Sequence, residues 1–190
     1  MNQFYTKRHP LIILISGTVY IGKSTIATKL SERMNISNML QTKTISDVME
    51  NLEGVNNNHS FKPFYMDDTI TSDDELIRRY EDESRIIRKG ANYDIQKGFL
   101  EGKAIIIEGH HIIPSLYIDK DSNGNIYICT PEPDKKDETD REKMVRQEMN
   151  RIVQKGIIVP FLLTTTEKDQ RYLLKNNGLF FQGENIFHNV

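Results

Sequence analysis

The sequence predicts an α/β domain built on a parallel sheet, and three observations carry that expectation. An apolar run, Leu11 to Ile15, leads through Gly17 and Gly22 into the helical pattern Ile26, Ala27, Leu30, Met34. A second apolar run, Ala104 to Ile107, has no polar alternation, as a strand covered on both faces requires. Capped amphipathic segments of helical period lie between and after these runs. At 190 residues, with 37% hydrophobic and 27% charged side chains, the chain suffices for one such domain and leaves no room for a second. The expected organisation is therefore a single domain over 1–190, with residues 116–156 as an insertion of hairpin, linker and helix.

The elements follow in order. Asn35 closes the first helix, Met39 to Thr42 reads as a short strand, and Ser46 to Leu52 as a helix with Val48, Met49 and Leu52 inward. Ser72 and Glu75 form a capping box that starts a helix with the stripe Leu76, Tyr80, Glu83, Ile87; Gly90 is expected to stop it. A separate helix over about Asn92 to Glu101 follows, ended by Gly102, and the buried strand then ends in a carboxylate, Glu108. From Leu116 to Cys129 two short β-type runs flank D-K-D-S-N-G-N, a β-hairpin signal. The same residues imitate half of a calcium loop, but the twelfth position is Thr130 and supplies no bidentate carboxylate, so calcium is not expected. Thr139 and Glu142 cap a helix with Val145, Met149, Ile152 and Val153 on one face; Ile157 to Leu163 is a strand interrupted by Pro160, and Glu167 to Leu174 is helical. A last short strand is expected around Leu179 to Phe181.

The segment Gly17 to Ser24 reads G-T-V-Y-I-G-K-S between a strand and a helix. Two glycines let the backbone turn its N–H groups inward around a diphosphate, and the helix adds the positive end of its dipole. Gly17, Thr18, Val19, Tyr20, Ile21 and Gly22 would form this cradle, with Lys23 reaching the β- and γ-phosphates. Ser24 would give one oxygen to Mg2+ and Thr25 a hydrogen bond at the first helical turn. A nucleotide, held with Mg2+, is the expected ligand.

A net charge of −2 provides no bulk attraction to nucleic acid or to an anionic membrane. One cysteine, Cys129, excludes a disulfide framework within the chain and suits a reducing compartment. Lys7 and Arg8 before Leu11 to Ile15 faintly imitate a signal peptide, yet five apolar residues are too few, and no stretch is long enough to span a bilayer. A cytoplasmic protein is expected.

In a parallel sheet the strands ending at Ser16 and Glu108 open onto one edge, where ligands bind. Glu108 then faces the phosphates, either holding Mg2+ through water or accepting the proton of an attacking hydroxyl. His110 and His111 are neighbours in a segment expected to be extended, which turns them to opposite sides and makes them a poor chelating pair. One of them could instead hydrogen-bond a substrate anion. Arg78, Arg79, Arg85, Arg88 and Lys89 are the densest basic run, and Asp74, Glu75 and Glu81 stand at ion-pairing distance in sequence; a solvated face is the first reading, with Arg85 and Arg88 as candidates for substrate binding. The guanine-reading segment Asn-Lys-x-Asp of GTPases is absent, and the one Asp-x-x-Gly, Asp121 to Gly124, lies in the hairpin turn.

With these residues in view, the chain resembles the 2-phosphoglycerate kinase family, and more closely its eukaryotic branch, the plant low-phytic-acid P-loop proteins. The resemblance rests on I-S-G-T-V-Y-I-G-K-S-T-I-A-T-K-L, N-M-L-Q-T, R-I-I-R-K-G, D-I-Q-K-G-F-L-E-G-K-A-I-I-I-E-G-H-H-I-I-P-S-L-Y and I-I-V-P-F-L-L-T-T-T-E-K-D-Q, across positions 10–118 and 157–176. Its specific part is E-G-x-H-x-x-P at Glu108, His111 and Pro114. It implies a P-loop NTPase fold, a three-layer parallel sheet of the nucleoside-monophosphate-kinase type, with ATP and Mg2+ at Lys23 and Ser24. It also implies a small anionic acceptor near Glu108 and His111, either 2-phosphoglycerate or an inositol phosphate. The expected activity is transfer of the γ-phosphoryl of ATP to an acceptor hydroxyl, with Lys23 and Glu108 as catalytic groups. The second function class is a module that binds nucleotide without transferring it.

Overall fold

The structure is a computed structural model, and the residues it describes are 10–53, 64, 69–120, 122–124, 126–128 and 156–176. Strand β1 (Leu11–Gly17) runs into the glycine loop, helix α1 (Lys23–Met34) and strand β2 (Asn38–Gln41). Helix α2 (Thr42–Glu53) follows without a linker; after it come α3 (Asp73–Glu101), β3 (Ile105–Glu108) and a single helical turn, α4 (Pro114–Tyr117). Strands β4 (Ile118–Lys120) and β5 (Ile126–Ile128) form the expected hairpin, and β6 (Ile157–Leu163) leads to α5 (Glu167–Asn176).

The main sheet has the order β2-β3-β1-β6 with every pairing parallel. Alternation along β1 and β3 divides the core. Ile12, Leu14, Ile105 and Ile107 pack with Ala91, Ile95 and Phe99 of α3, whereas Ile13, Ile15 and Ile106 pack with Ala27 of α1. Helices therefore cover both faces of the sheet, as its unbroken apolar strands require, and the α/β three-layer expectation holds. Each such isoleucine side chain, removed from water, contributes about 1.5–3 kcal/mol.

The register sets up the site. Ile15 pairs with Glu108, Glu108 with Gln41, and Gly17 with Leu163, so the loop, Glu108 and the start of α2 share the carboxyl edge of the sheet.

Several boundaries differ from those read in the sequence. Gly90 does not end a helix: α3 is continuous over Asp73–Glu101. A Cβ at Gly90 would lie 2.7 Å from Ile45 Cγ2, so this glycine serves the close approach of α2 to α3. Helix α2 begins at Thr42 rather than Ser46, and Val48 is exposed while Ile45 packs against the core. Leu116 and Tyr117 belong to α4, because Pro114 with its fixed φ opens a helical turn there. Pro160 leaves β6 unbroken, since among the described residues β6 lies at the edge of the sheet, where a missing N–H is tolerated. The helix expected after Thr139, the strand around Leu179 to Phe181, and Asp121 and Thr130 of the calcium imitation lie outside the described residues.

Candidate functional site

The loop after β1 is held in a shape that few side chains permit. Gly17 has φ +147°, and a Cβ there would lie 2.6 Å from the Leu163 carbonyl oxygen of the neighbouring strand. Tyr20 has φ +63° and Gly22 φ +91°, immediately before α1 starts at Lys23. A left-handed tyrosine is uncommon, and such residues concentrate where the surrounding structure enforces a function. Among the described residues no side chain caps the first turn of α1, which leaves its N–H groups available to an anion. Lys23 is buried and donates from Nζ to the carbonyl of Thr18 at 2.6 Å, bridging the loop from within. Burial holds its ammonium below the ordinary lysine value, and the Glu108 carboxylate opposes that shift.

Glu108 ends β3 at 4% exposure and accepts a hydrogen bond from Ser24 Oγ at 2.7 Å. Lys23, Ser24 and Glu108, drawn from two elements 84 residues apart in sequence, thus form one cluster. Gly109 then turns the chain with φ +152°, its N–H bonded to the Ile15 carbonyl at 3.1 Å. A Cβ on Gly109 would lie 1.7 Å from Thr42 Oγ1, so the Glu-Gly pair is required by the start of α2 crossing directly over it. The hydroxyl of Ser24 and the carboxylate of Glu108 are adjacent hard oxygen donors, a set that fits Mg2+.

Beyond Gly109 the backbone is a turn, not an extended segment, and the His110 and His111 rings lie side by side, tilted by 40° with centroids 3.8 Å apart, instead of pointing to opposite sides. His111 is 1% exposed; its Nε2 meets Glu83 Oε1 at 2.8 Å and its Nδ1 meets Thr42 Oγ1 at 3.2 Å. The other Glu83 oxygen accepts from the Phe64 N–H at 2.7 Å. The expectation that His111 binds substrate therefore meets a buried ring with both nitrogens already partnered, tying α2 and α3 to the β3 turn. Its neighbour differs: among the described residues the buried His110 Nε2 has no partner, while the Tyr80 hydroxyl donates to the His110 carbonyl. Burial, followed by the charges of His111, Lys23 and Lys43, pushes the His110 imidazole down to about 3.

Arg85 and Arg88 stand outside this cluster. Arg85 is exposed on α3 and pairs with Glu81 and Asp82, one turn away, as a solvated helix face does. Arg88 is buried; its Nε donates to the Leu116 carbonyl at 3.1 Å and its guanidinium lies 4.8 Å over the Tyr117 ring, fixing α4 against α3.

Three further residues bear on the site. Gln170, near the start of α5, accepts from Thr18 Oγ1 at 2.8 Å and donates to the Val19 carbonyl at 2.9 Å, holding the loop from the far end of the chain. Thr42 and Glu83 position His111. Glu83 stands out in the sequence as the one acid on an otherwise apolar helical stripe, whereas Thr42 and Gln170 enter as the last residues of N-M-L-Q-T and I-I-V-P-F-L-L-T-T-T-E-K-D-Q. No helix among the described residues is long and apolar enough to cross a membrane.

No family model matches the sequence. The chain is 32% identical over 121 residues to the 2-phosphoglycerate kinase of Methanocaldococcus jannaschii, covering 60% of this chain and 38% of that one. It is 34% identical over 121 residues to that of Pyrococcus furiosus, covering 60% and 40%. To that of Methanococcus maripaludis it is 27% identical over 173 residues, covering 80% and 54%. A crystal structure of a putative kinase from Chloroflexus aurantiacus aligns with 88% of this chain and 66% of its own at 14% identity, with a TM-score of 0.43, a likeness too slight to bear on the fold. These three relatives are archaeal 2-phosphoglycerate kinases, and the chain spans between 38% and 54% of their length.

Proposed function

We propose that the chain binds ATP with Mg2+ at Gly17 to Thr25 and transfers the γ-phosphoryl to a hydroxyl of a small anionic metabolite. The observation that carries this reading is the Ser24–Glu108 hydrogen bond of 2.7 Å beside the buried Lys23, at the edge where β1 and β3 end together. In this reading the uncapped N–H groups of the α1 start hold the phosphates, and Lys23 exchanges its bond to the Thr18 carbonyl for a stronger charged one to a phosphate oxygen. Ser24 would hold the metal, and Mg2+ would neutralise charge on the transferring group. Glu108 turns from the Ser24 hydroxyl to the acceptor hydroxyl and takes its proton. Phosphoryl transfer needs mainly position and charge, and a rigid sheet edge supplies both.

The names of the archaeal relatives favour 2-phosphoglycerate as acceptor. The resemblance to plant low-phytic-acid proteins favours an inositol phosphate as the second candidate. The test is product formation from ATP–Mg2+ with 2-phosphoglycerate, other phosphorylated acids and inositol phosphates. Phosphorylation of one acceptor supports the reading. ATP binding with none of the panel phosphorylated would leave a nucleotide-binding module.

A further inference from the structure

Glu83, His110 and His111 each present a metal-ligating atom, and the three atoms lie within 4.8 Å of one another. They belong to different elements: Glu83 to the middle of α3, the histidines to the turn after β3. Glu83 and His111 are almost fully buried. We propose that these three side chains form a transition-metal site that takes Zn2+, with an open fourth position.

Two imidazoles and one carboxylate form a donor set for zinc in sites that keep a coordination position free. The supporting groups are already in place. Metal-bound histidines use their other ring nitrogen on a fixed partner, and His111 Nδ1 has Thr42 Oγ1 at 3.2 Å. A ligating carboxylate is itself hydrogen-bonded, and Glu83 Oε2 has the Phe64 N–H at 2.7 Å. Among the described residues His110 Nε2 is a buried atom with no hydrogen-bond partner, the kind of group that calls for an explanation. It has almost no surface open to solvent, so a bare ion between three side chains suits it better than a bulky anion.

One bond has to change. His111 Nε2 and Glu83 Oε1 now share a proton at 2.8 Å; zinc would displace that proton to solvent and separate the two atoms to about 3.4 Å, the spacing set by bonds of about 2.1 Å in a tetrahedron. Two imidazole nitrogens disfavour the oxygen-seeking Mg2+ and Ca2+ and leave metals with strong imidazole affinity.

The site does not depend on the kinase reading and is tested without any activity. The full chain, stripped with chelator and dialysed against Zn2+, is expected to retain one equivalent with a micromolar or lower Kd, and Co2+ in its place is expected to give a visible spectrum of tetrahedral type. His110→Ala breaks no hydrogen bond given above; it should remain folded by circular dichroism and lose more than the roughly 10- to 100-fold that loss of a supporting partner costs. Thr42→Val should fall within that smaller range. A parent chain that retains no zinc at micromolar concentration, or a folded His110→Ala that binds it as tightly as the parent, overturns the assignment.

Discussion

Gly109→Ala is the sharpest test of how the site is held. The added methyl would lie 1.7 Å from Thr42 Oγ1 and 2.8 Å from Thr42 Cβ, so either the turn or the start of α2 must move. Overpacking of this kind costs about 1–3 kcal/mol. The backbone at φ +152° adds about 1–3 kcal/mol for a residue bearing a Cβ. Together these give about 2–6 kcal/mol, a large part of the roughly 5–15 kcal/mol that holds a typical domain. Urea unfolding of Gly109→Ala, Thr42→Gly and the double variant separates the two contributions. In the Thr42→Gly background the clash is gone and only backbone strain remains, so adding Gly109→Ala should cost about 1–3 kcal/mol less than it does in the parent. A Gly109→Ala protein within about 0.5 kcal/mol of the parent, or an equal cost in both backgrounds, would refute the argument that Thr42 forces glycine after Glu108.

Gln170→Ala removes two hydrogen bonds to the glycine loop, each worth about 0.5–1.5 kcal/mol net, so ATP affinity measured by calorimetry should fall by at most about 5- to 150-fold with little change in melting temperature. Unchanged affinity would mean that the loop keeps its shape without α5. His110 is pushed down to about 3 in the folded chain, whereas the unfolded chain protonates it near its ordinary value of 6.5. Between those values the unfolded state binds the extra proton, so this residue's contribution to stability is present above about 6.5 and is lost as pH falls toward 3. With chelator present, the slope should reach at most about 1.4 kcal/mol per pH unit, and His110→Phe should flatten it; an equal slope in both proteins would contradict the assignment.

The parts legible in the sequence are those whose signals are local. The loop announces itself through strand, glycines, lysine and serine within a few positions, and Glu108 through an unbroken apolar strand that ends in a carboxylate. The parallel edge that joins them follows from the same two strands. Gly90 was misleading because a glycine inside a helix reads alike whether it stops the helix or admits a neighbour; only Ile45, 45 residues earlier, distinguishes the two. The approach of the His110 and His111 rings follows a chain turned at Gly109, φ +152°, where strand continuation was expected. Gln170 reaches Val19 across 151 positions and Glu83 reaches His111 across 28, and neither distance carries a periodic signal. Arg88 shows the converse: a basic run suggested solvent or substrate, yet this member is buried over Tyr117.

The central claim is that Glu108 acts on the reacting groups, and Glu108→Gln tests it most directly. Glutamine keeps the shape and still offers an oxygen to Ser24 Oγ, which is 2.7 Å from the carboxylate, but it cannot take a proton. Turnover, ATP affinity and melting temperature are measured on the same preparation. The account predicts kcat lower by about 10²- to 10⁴-fold, the worth of a general base, with ATP affinity and melting nearly unchanged. A folded Glu108→Gln protein with the parent's turnover would contradict it.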